Sequence, residues 1–438
     1  MTMDEIISCK DKYTYAKAPR HSGTKGTACL SLLVLMILLA IPAVGAADFT
    51  LQIFGNADMN DKIDEKDTAY VQGIISGTNE ATKLADANYD GKVDAQDVDQ
   101  IEKIIQGEDK ELTIIDAGNR TVTIKKPLNR VVTLGGYEAE IMFMINEQEK
   151  IVGIANYMAT KTYYKACIPQ LAKLPTVGSG AEIDYEKMLS LNPDLIITRH
   201  YYGDDIATNL PEPIPVACFD FIEPEAMQEE MVKFGYVFDK KGWEKSYFED
   251  FHDKYVGMIK DRTKDVPGEK IPKVYEEQNS KTYNIFPSAA NQQKIAMSGG
   301  KLMFGEIKTN KSAIEIDPEK VASGNPDVII KDASSTGPNT GYDVDDPEKP
   351  KPLRDEILNR SELASVNAVK NGAVYVLDNG ISNGPMYPVG IAYVAKWLHP
   401  DLFEDLNPVS IHQEYLNRIG SNYNLTEHGV FIYPPSKK

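Results

Sequence analysis

Two doubly wound α/β lobes joined by one long helix, preceded by a small all-α module of paired acidic loops, form the fold class this sequence predicts. Three observations carry the prediction. Short β-branched runs alternate with helical stretches from Leu112 onward. A segment of that alternation, Glu182 to Ile197, recurs 133 residues later as Glu315 to Ile330. An acidic loop near the N-terminus, Asn56 to Asp67, recurs 30 residues later as Asp86 to Asp97.

The chain of 438 residues carries 47 Lys plus Arg against 65 Asp plus Glu, a formal charge of −18. Nucleic acid is excluded as a partner, because binding it needs a basic footprint that displaces counterions. With 42% hydrophobic and 26% charged residues the composition is that of a globular protein and not a disordered one.

Residues 1–47 read as a signal peptide or anchor. The apolar run Leu30 to Ile41 follows Lys10, Lys12, Lys17, Arg20 and Lys25 and precedes small residues at Ala43 to Ala47. The chain is therefore expected to be exported, to a cell surface or a periplasm-like space. Cleavage near Ala46 and retention as an anchor both remain open, since Ala28 to Ala47 is long enough to span a bilayer. Cys9 and Cys29 precede the expected mature start. Whether Cys167 and Cys218 pair is left open.

Residues 48–111 are the acidic module, with sixteen acidic and six basic residues. Oxygen side chains fall at loop positions 1, 3, 5, 9 and 12 in both copies: Asn56, Asp58, Asn60, Asp64 and Asp67, then Asp86, Asn88, Asp90, Asp94 and Asp97. A hard cation such as Ca²⁺ takes six to eight oxygens, and a tight loop turns alternate residues inward, with a backbone carbonyl at position 7. Those carbonyls belong to Lys62 and Lys92. Position 6 favours positive φ, which Gly91 adopts freely and Asp61 less so. Loop one is expected to be the weaker calcium site. Each loop feeds a short helix whose apolar pairs Val71/Ile101, Ile74/Ile104 and Ile75/Ile105 share one face.

Over Phe54 to Gly107 the pair resembles a dockerin, a two-loop calcium module that docks onto cohesin domains. The resemblance implies a cohesin domain as a partner, met by loop positions 10 and 11. These are Glu65-Lys66 in one copy and Ala95-Gln96 in the other.

The first lobe spans residues 112–240 and the second 267–438. Their expected strands are Arg130–Leu134, Ile151–Ala155, Asp194–Thr198 and Val216–Phe221, then Lys273–Tyr275, Asp327–Ile330 and Ala373–Leu377. Residues 241–266 join the lobes. Trp243, Tyr247, Phe251, Tyr255 and Ile259 recur every four residues, which predicts a single helix of about 39 Å that allows little closure. The polar stretch Ser334 to Pro352, rich in Pro and Gly, reads as a mobile loop.

From Leu112 to Pro435 the chain resembles the substrate-binding proteins of ABC importers for iron-siderophore, haem and cobalamin. The resemblance rests on Thr121–Ile124 with Arg130–Leu134, the Thr176-Val-Gly178 turn, both Glu…Asn-Pro-Asp units, Ser298-Gly-Gly300, Ala368 to Tyr375, and Ala395 to Pro400. It implies an ABC permease as partner, engaged by one Glu on each lobe at the positions of Glu186 and Glu319. It also implies a monomer whose small-molecule ligand is an iron chelate, haem or a corrinoid.

The ligand is expected where the C-terminal strand ends of the two lobes face each other. Candidates in the first lobe are Tyr137, Tyr157, Arg199, His200, Tyr201, Tyr202 and Phe221; in the second, Tyr283, Phe286, Met386 and Tyr387. Aromatic faces cover a flat macrocycle, and Arg199 meets a carboxylate bidentately. No enzyme is indicated, since neither a G-x-S-x-G elbow nor a phosphate-binding lysine loop occurs. The alternative class is a cell-surface assembly component that binds protein partners through the acidic module and has no role in import.

Overall fold

The computed structural model describes residues 49–435, except 181, 211–213, 280, 310, 312, 335 and 336. The expected signal or anchor lies outside the described residues. No described helix is long and apolar enough to cross a membrane.

Helices Glu65–Ser76 (α1) and Ala95–Gln106 (α2) begin at aspartate caps. Asp64 accepts the Lys66 N–H at 2.9 Å and Asp94 the Gln96 N–H at 2.8 Å. The position-12 carboxylates, Asp67 and Asp97, accept the N–H of those caps in return, each at 2.8 Å. This reciprocal box winds loop positions 10 to 12 into the first turn, so both helices start earlier than their apolar stretch suggests. Left-handed Gly77 and Gly107, at φ 77° and 74°, end them. Of the expected apolar face, Val71, Ile101 and Ile104 are fully buried, whereas Ile75 is half exposed.

An antiparallel hairpin of Glu111–Ile115 (β1) and Thr121–Lys125 (β2) follows. The module is seated on the first lobe and does not hang from it. Ile53 bridges Ile114, and the Ile63 N–H donates to the Tyr236 hydroxyl at 3.0 Å. Lys241 Nζ caps the end of α2 on the Ile104 and Ile105 carbonyls at 2.6 and 2.7 Å. Leu51, Ile53, Ile101 and Ile104 share one apolar core with Val131, Ile154 and Phe234 of the lobe.

The first lobe is built on a parallel sheet of Val131–Thr133 (β3), Ile151–Ile154 (β4), Leu195–Thr198 (β7) and Val216–Cys218 (β8), in the order β4-β3-β7-β8. Between them lie helices Gly136–Met144 (α3), Asn156–Thr160 (α4) and Thr162–Cys167 (α5) and a small hairpin of Gly178–Ser179 (β5) and Glu182–Ile183 (β6). Helices Tyr185–Ser190 (α6) and Gly203–Thr208 (α7) flank β7, and Met227–Val237 (α8) follows β8. Each strand is wholly or almost wholly buried, as a sheet covered on both faces requires.

The connecting helix runs only from Glu244 to Thr263, shorter at both ends than expected. It comprises Glu244–Tyr247 (α9), a π-wound stretch Phe248–Gly257, and Met258–Thr263 (α10). Gly242, at φ 85°, stops helix before it, and Pro267 stops it after. The wider π turn carries Val256 inward five residues after Phe251, so both are fully buried, while Tyr255 is only partly so.

The second lobe has the order β11-β9-β13-β14-β15. Its strands are Lys273–Glu277 (β9), Lys301–Leu302 (β11), Val328–Ala333 (β13), Val374–Asp378 (β14) and the antiparallel edge Ile432–Tyr433 (β15); Asn284–Ile285 (β10) pairs separately with Ile314–Glu315 (β12). Helices Ala289–Met297 (α11), Pro318–Gly324 (α12), Lys351–Leu358 (α13) and Asn367–Lys370 (α14) connect them. Tyr387–Leu398 (α15) and Pro408–Arg418 (α16) complete the lobe. Buried Glu277 holds this lobe together, bonding Lys331 Nζ at 2.8 Å and the Arg360 guanidinium at 2.7 and 2.8 Å.

The described part of the stretch Ser334 to Pro352 packs against the rest of the chain and is not the loose loop expected of its composition. Tyr342 is buried, its hydroxyl 2.7 Å from His412 Nε2 and its ring 5.0 Å from Tyr163 of the first lobe. The Gly341–Val430 bridge and the Gly429 N–H donated to Asp345 at 3.1 Å tie the same segment to the C-terminal stretch. Lys351 and Pro352 already belong to α13. Cys167 and Cys218 are both buried and unpaired.

Candidate functional site

The repeated segment places one carboxylate at the same point on each lobe. Asp184 caps α6 through the Lys187 N–H, and Asp317 caps α12 through the Glu319 N–H, both at 2.9 Å. Glu186 and Glu319 are each the second residue of their helix, and both are exposed, with no ion pair or side-chain hydrogen bond among the described residues. The Asn-Pro-Asp that follows explains why the segment recurs. Asn192 and Asn325 turn left-handed at φ 46° and 47°. The next aspartate then clamps the neighbouring strand: Asp194 accepts the Arg130 N–H at 3.0 Å, and Asp327 accepts the Lys273 N–H at 2.9 Å.

At the strand ends of the first lobe, the Arg199 guanidinium lies 5.3 Å from the Tyr137 ring centre and bonds the Tyr201 hydroxyl at 3.1 Å. Lys161 sits 5.2 Å over the Tyr157 ring. Burial pushes the Tyr137 hydroxyl up to about 12 against the opposing charge of Arg199. His200 is exposed, with Nδ1 3.5 Å from an Asp220 oxygen, and Tyr201 and Tyr202 stack edge to face beside it. These residues lie together at the strand ends of the first lobe. Phe221 does not join them; it is 1% exposed and packs among Phe219 and Phe234 in the lobe core.

In the second lobe only Phe286 of the four candidates faces open space. Tyr283 lies in the core, its hydroxyl bonded to Glu362 at 2.7 Å and its ring under Arg360. Met386 and Tyr387 are fully buried, the former beneath the Tyr342 hydroxyl and the latter against His252. All three sit where apolar contacts and not the cleft claim the side chain.

Between the lobes lies a cavity of about 210 Å³. The first lobe contributes Ile222 and Glu223 to it; from the second come Glu276 near the end of β9, Asp332 near the end of β13, and Asn383 beyond β14. Lys294 of α11 reaches in and donates to the Asn383 Oδ1 at 2.8 Å and the Ser382 carbonyl at 3.0 Å. Glu276 and Asp332 both line the cavity within hydrogen-bonding reach of each other, and burial pushes both up, Asp332 well above the usual carboxylate range. None of these polar residues was among the sequence candidates. Charged pairs at the ends of apolar strands, Glu276-Glu277 and Lys331-Asp332, are the signal that marks two of them. Beside the cavity Tyr137 packs on Gly384, which at φ 60° has no room for a Cβ: one would meet the ring at 2.3 Å. Glu138, 1% exposed, lies behind Tyr137 with Oε2 unpartnered and is pushed up to about 7 by burial.

The paired acidic loops differ. In loop two the Asp86 carboxylate accepts the Gly91 N–H at 2.8 Å, with Gly91 at φ 89°. Loop one has no left-handed residue at position 6 and is closed by its own amides. Asn56 Nδ2 donates to the Leu51 and Asn60 carbonyls at 2.8 and 2.7 Å, and Lys62 meets Asp64 at 2.7 Å. Among the described residues no three His, Cys, Asp or Glu side chains converge as a metal ion needs. The chemistry of the donor set, carboxylates and carbonyls throughout, suits a hard cation, and loop two suits it better.

A profile described as "Periplasmic binding protein" matches residues 131–380, more than half of the chain. The chain belongs to the periplasmic binding protein family. A Bacillus subtilis protein described as an uncharacterized ABC transporter substrate-binding lipoprotein, YvrC, is 23% identical over 308 residues, 67% of this chain and 87% of its own. A cobalamin-binding protein of Halobacterium salinarum is 22% identical over 225 residues, 50% of this chain and 58% of that one. The TroA-like periplasmic binding protein FepB of Veillonella parvula shares the fold at TM-score 0.59 and 23% identity, over 73% of this chain and 98% of its own. So does molybdate-bound MolA of Haemophilus influenzae, at TM-score 0.54 and 20% identity, over 70% and 97%.

Proposed function

We propose that this chain is the extracytoplasmic substrate-binding protein of an ABC importer, capturing a metal chelate or cofactor between its lobes and delivering it to a permease. The observation that carries the reading is the joint arrangement of the cleft and the two edges. Two open α/β sheets turn their strand ends toward a shared cavity, and a partnerless glutamate stands at the equivalent place on each lobe. Glu186 and Glu319 are the permease-docking groups in this reading. The ligand rests on Tyr137, Tyr157, Arg199, His200, Tyr201, Tyr202 and Phe286. A ferric siderophore, haem or cobalamin is the cargo class, and the Halobacterium salinarum relative is described as cobalamin-binding. The protein acts as a monomeric receptor and not as an enzyme, and the N-terminal segment exports it or anchors it.

The cavity, about 210 Å³, has room for one edge of such a ligand. In this reading the lobes part to admit the rest, and the contacts they share include Tyr137 on Gly384 and Tyr163 on Tyr342. A thermal-shift panel of ferric siderophores, haem and corrinoids tests the reading. A true ligand at a hundred times its Kd adds about 2.7 kcal/mol of stability. A panel in which no member raises Tm, with no chromophore carried through purification, would overturn it.

For the N-terminal module the proposal is one firm calcium site in loop two, held by Asp86, Asn88, Asp90, the Lys92 carbonyl, Asp94 and Asp97. A weaker site would use Asn56, Asp58, Asn60, the Lys62 carbonyl, Asp64 and Asp67. The paired loops also favour a second reading, a surface assembly component that meets a cohesin domain. Neighbouring cohesin genes without permease and ATPase genes would support it over import.

A further inference from the structure

The charged lining of the interlobe cavity is lopsided: three carboxyl groups, Glu223, Glu276 and Asp332, face one ammonium, Lys294. We propose that this wall selects a ligand that is uncharged or cationic and presents hydrogen-bond donors to the second lobe, amides or amines, and that it turns away polyanionic metal chelates. The inference rests on the receptor reading and names the class of cargo within it.

Four observations carry it. Lys294 is 8% exposed and already serves the Ser382 carbonyl and the Asn383 side chain, so an incoming anion finds its ammonium engaged. The start of α11, the other positive feature of this wall, has Glu223 across from it, Glu223 and Ala290 both lining the cavity. The Glu223 Oε2 is buried and, among the described residues, has no hydrogen-bond partner, an open acceptor beside the cavity. Glu276 and Asp332 lie within hydrogen-bonding reach of each other, and two carboxyls so placed share one proton, leaving a net negative pair with oxygens that accept.

On the first lobe the positive groups are Arg199 and Lys161, and each of these lies over a tyrosine. The cleft is thus bipolar. One anionic group of a ligand meets Arg199 while its donor-rich edge enters the cavity. A complex with several negative charges has no orientation that keeps all of them away from the carboxyl wall.

The test titrates the full mature chain with two probes at low salt: cyanocobalamin, uncharged and rimmed with primary amides, and a ferric tris-catecholate complex of charge −3. The expected result is at least tenfold tighter binding of cyanocobalamin. The triple substitution E223Q/E276Q/D332N should narrow that ratio at least tenfold. Because loss of the carboxyl pair risks the local fold, a second variant adds charge without removing contacts. Ser288 lines the cavity and caps α11 by accepting the Asn291 N–H; Ser288→Asp keeps a good cap and should widen the ratio. Tighter binding of the tris-catecholate by the wild type, or a ratio that neither variant moves, overturns the inference and leaves the receptor reading standing. Failure of cyanocobalamin to bind also counts against it.

Discussion

Removing both edge glutamates separates docking from every other property of the molecule. Glu186 and Glu319 occupy the first turn of α6 and α12, exposed and without partners. Each therefore contributes to stability only through the helix dipole, about 0.3–1 kcal/mol, part of which the better helix propensity of alanine returns. The double variant E186A/E319A should lose less than about 2 kcal/mol in all. Neither residue lines the cavity, so ligand affinity should stay within twofold. At a permease interface, by contrast, truncating one member of a buried charge pair costs about 2–5 kcal/mol, a weakening of roughly 30-fold to several thousand-fold for each lobe. The assay is ligand uptake by vesicles carrying the cognate permease and ATPase, with ligand titration of the same preparations. Uptake should collapse while the Kd holds. Uptake at the wild-type rate, or a Kd that rises in step with lost uptake, would refute the argument.

Three further outcomes follow from the geometry. Calcium titration should show one firm site that Asp90→Ala abolishes and Asn56→Ala does not, and chelation should raise amide exchange in residues 86–97 far more than in 56–67; equal effects in both loops would contradict the asymmetry. Glu277→Gln leaves Lys331 and Arg360 buried beside a neutral group and should cost about 3–5 kcal/mol in chemical denaturation; a loss under 1 kcal/mol would show that this trio does not hold the lobe. Buried Glu138 and Glu140 are both pushed up from 4.5 to about 7, so the folded chain keeps protons that the unfolded chain releases. Their contribution is full below about pH 4.5 and is lost as the pH rises to about 7, on the order of 3 kcal/mol each. Glu138→Gln and Glu140→Gln should flatten that decline in denaturation midpoints between pH 5 and 8, and unchanged slopes would rule it out.

The lobes were legible because their signals are local. Apolar β-branched runs named seven of the central strands within a few residues, and the recurring Asn-Pro-Asp pointed to two equivalent corners. The cluster around Arg199 was legible for a related reason: residues directly after a strand inherit its direction. Less could be read where two chemically alike side chains are sorted by remote neighbours. Phe221 and Phe286 both follow strands, yet Phe234 of α8 closes over the first while the second is half-buried and lines the cavity. Tyr283 was claimed by Glu362 and Arg360, some 80 residues along the chain. The connecting helix was overextended because a four-residue apolar period does not mark where Gly242 and Pro267 end it, nor does it reveal the π turn inside.

By itself the sequence determined the short-range architecture: capped loops at a fixed offset, strands alternating with helices, and a matched carboxylate on each lobe. Each depends on hydrogen bonds and periodicities spanning a few residues, which composition and spacing encode directly. Only the tertiary structure decided the character of the cleft, because its wall joins Glu223, Glu276, Lys294 and Asp332 from four separate segments. Their effect depends on burial and on which ammonium is already engaged, and neither property belongs to a residue until the lobes have packed.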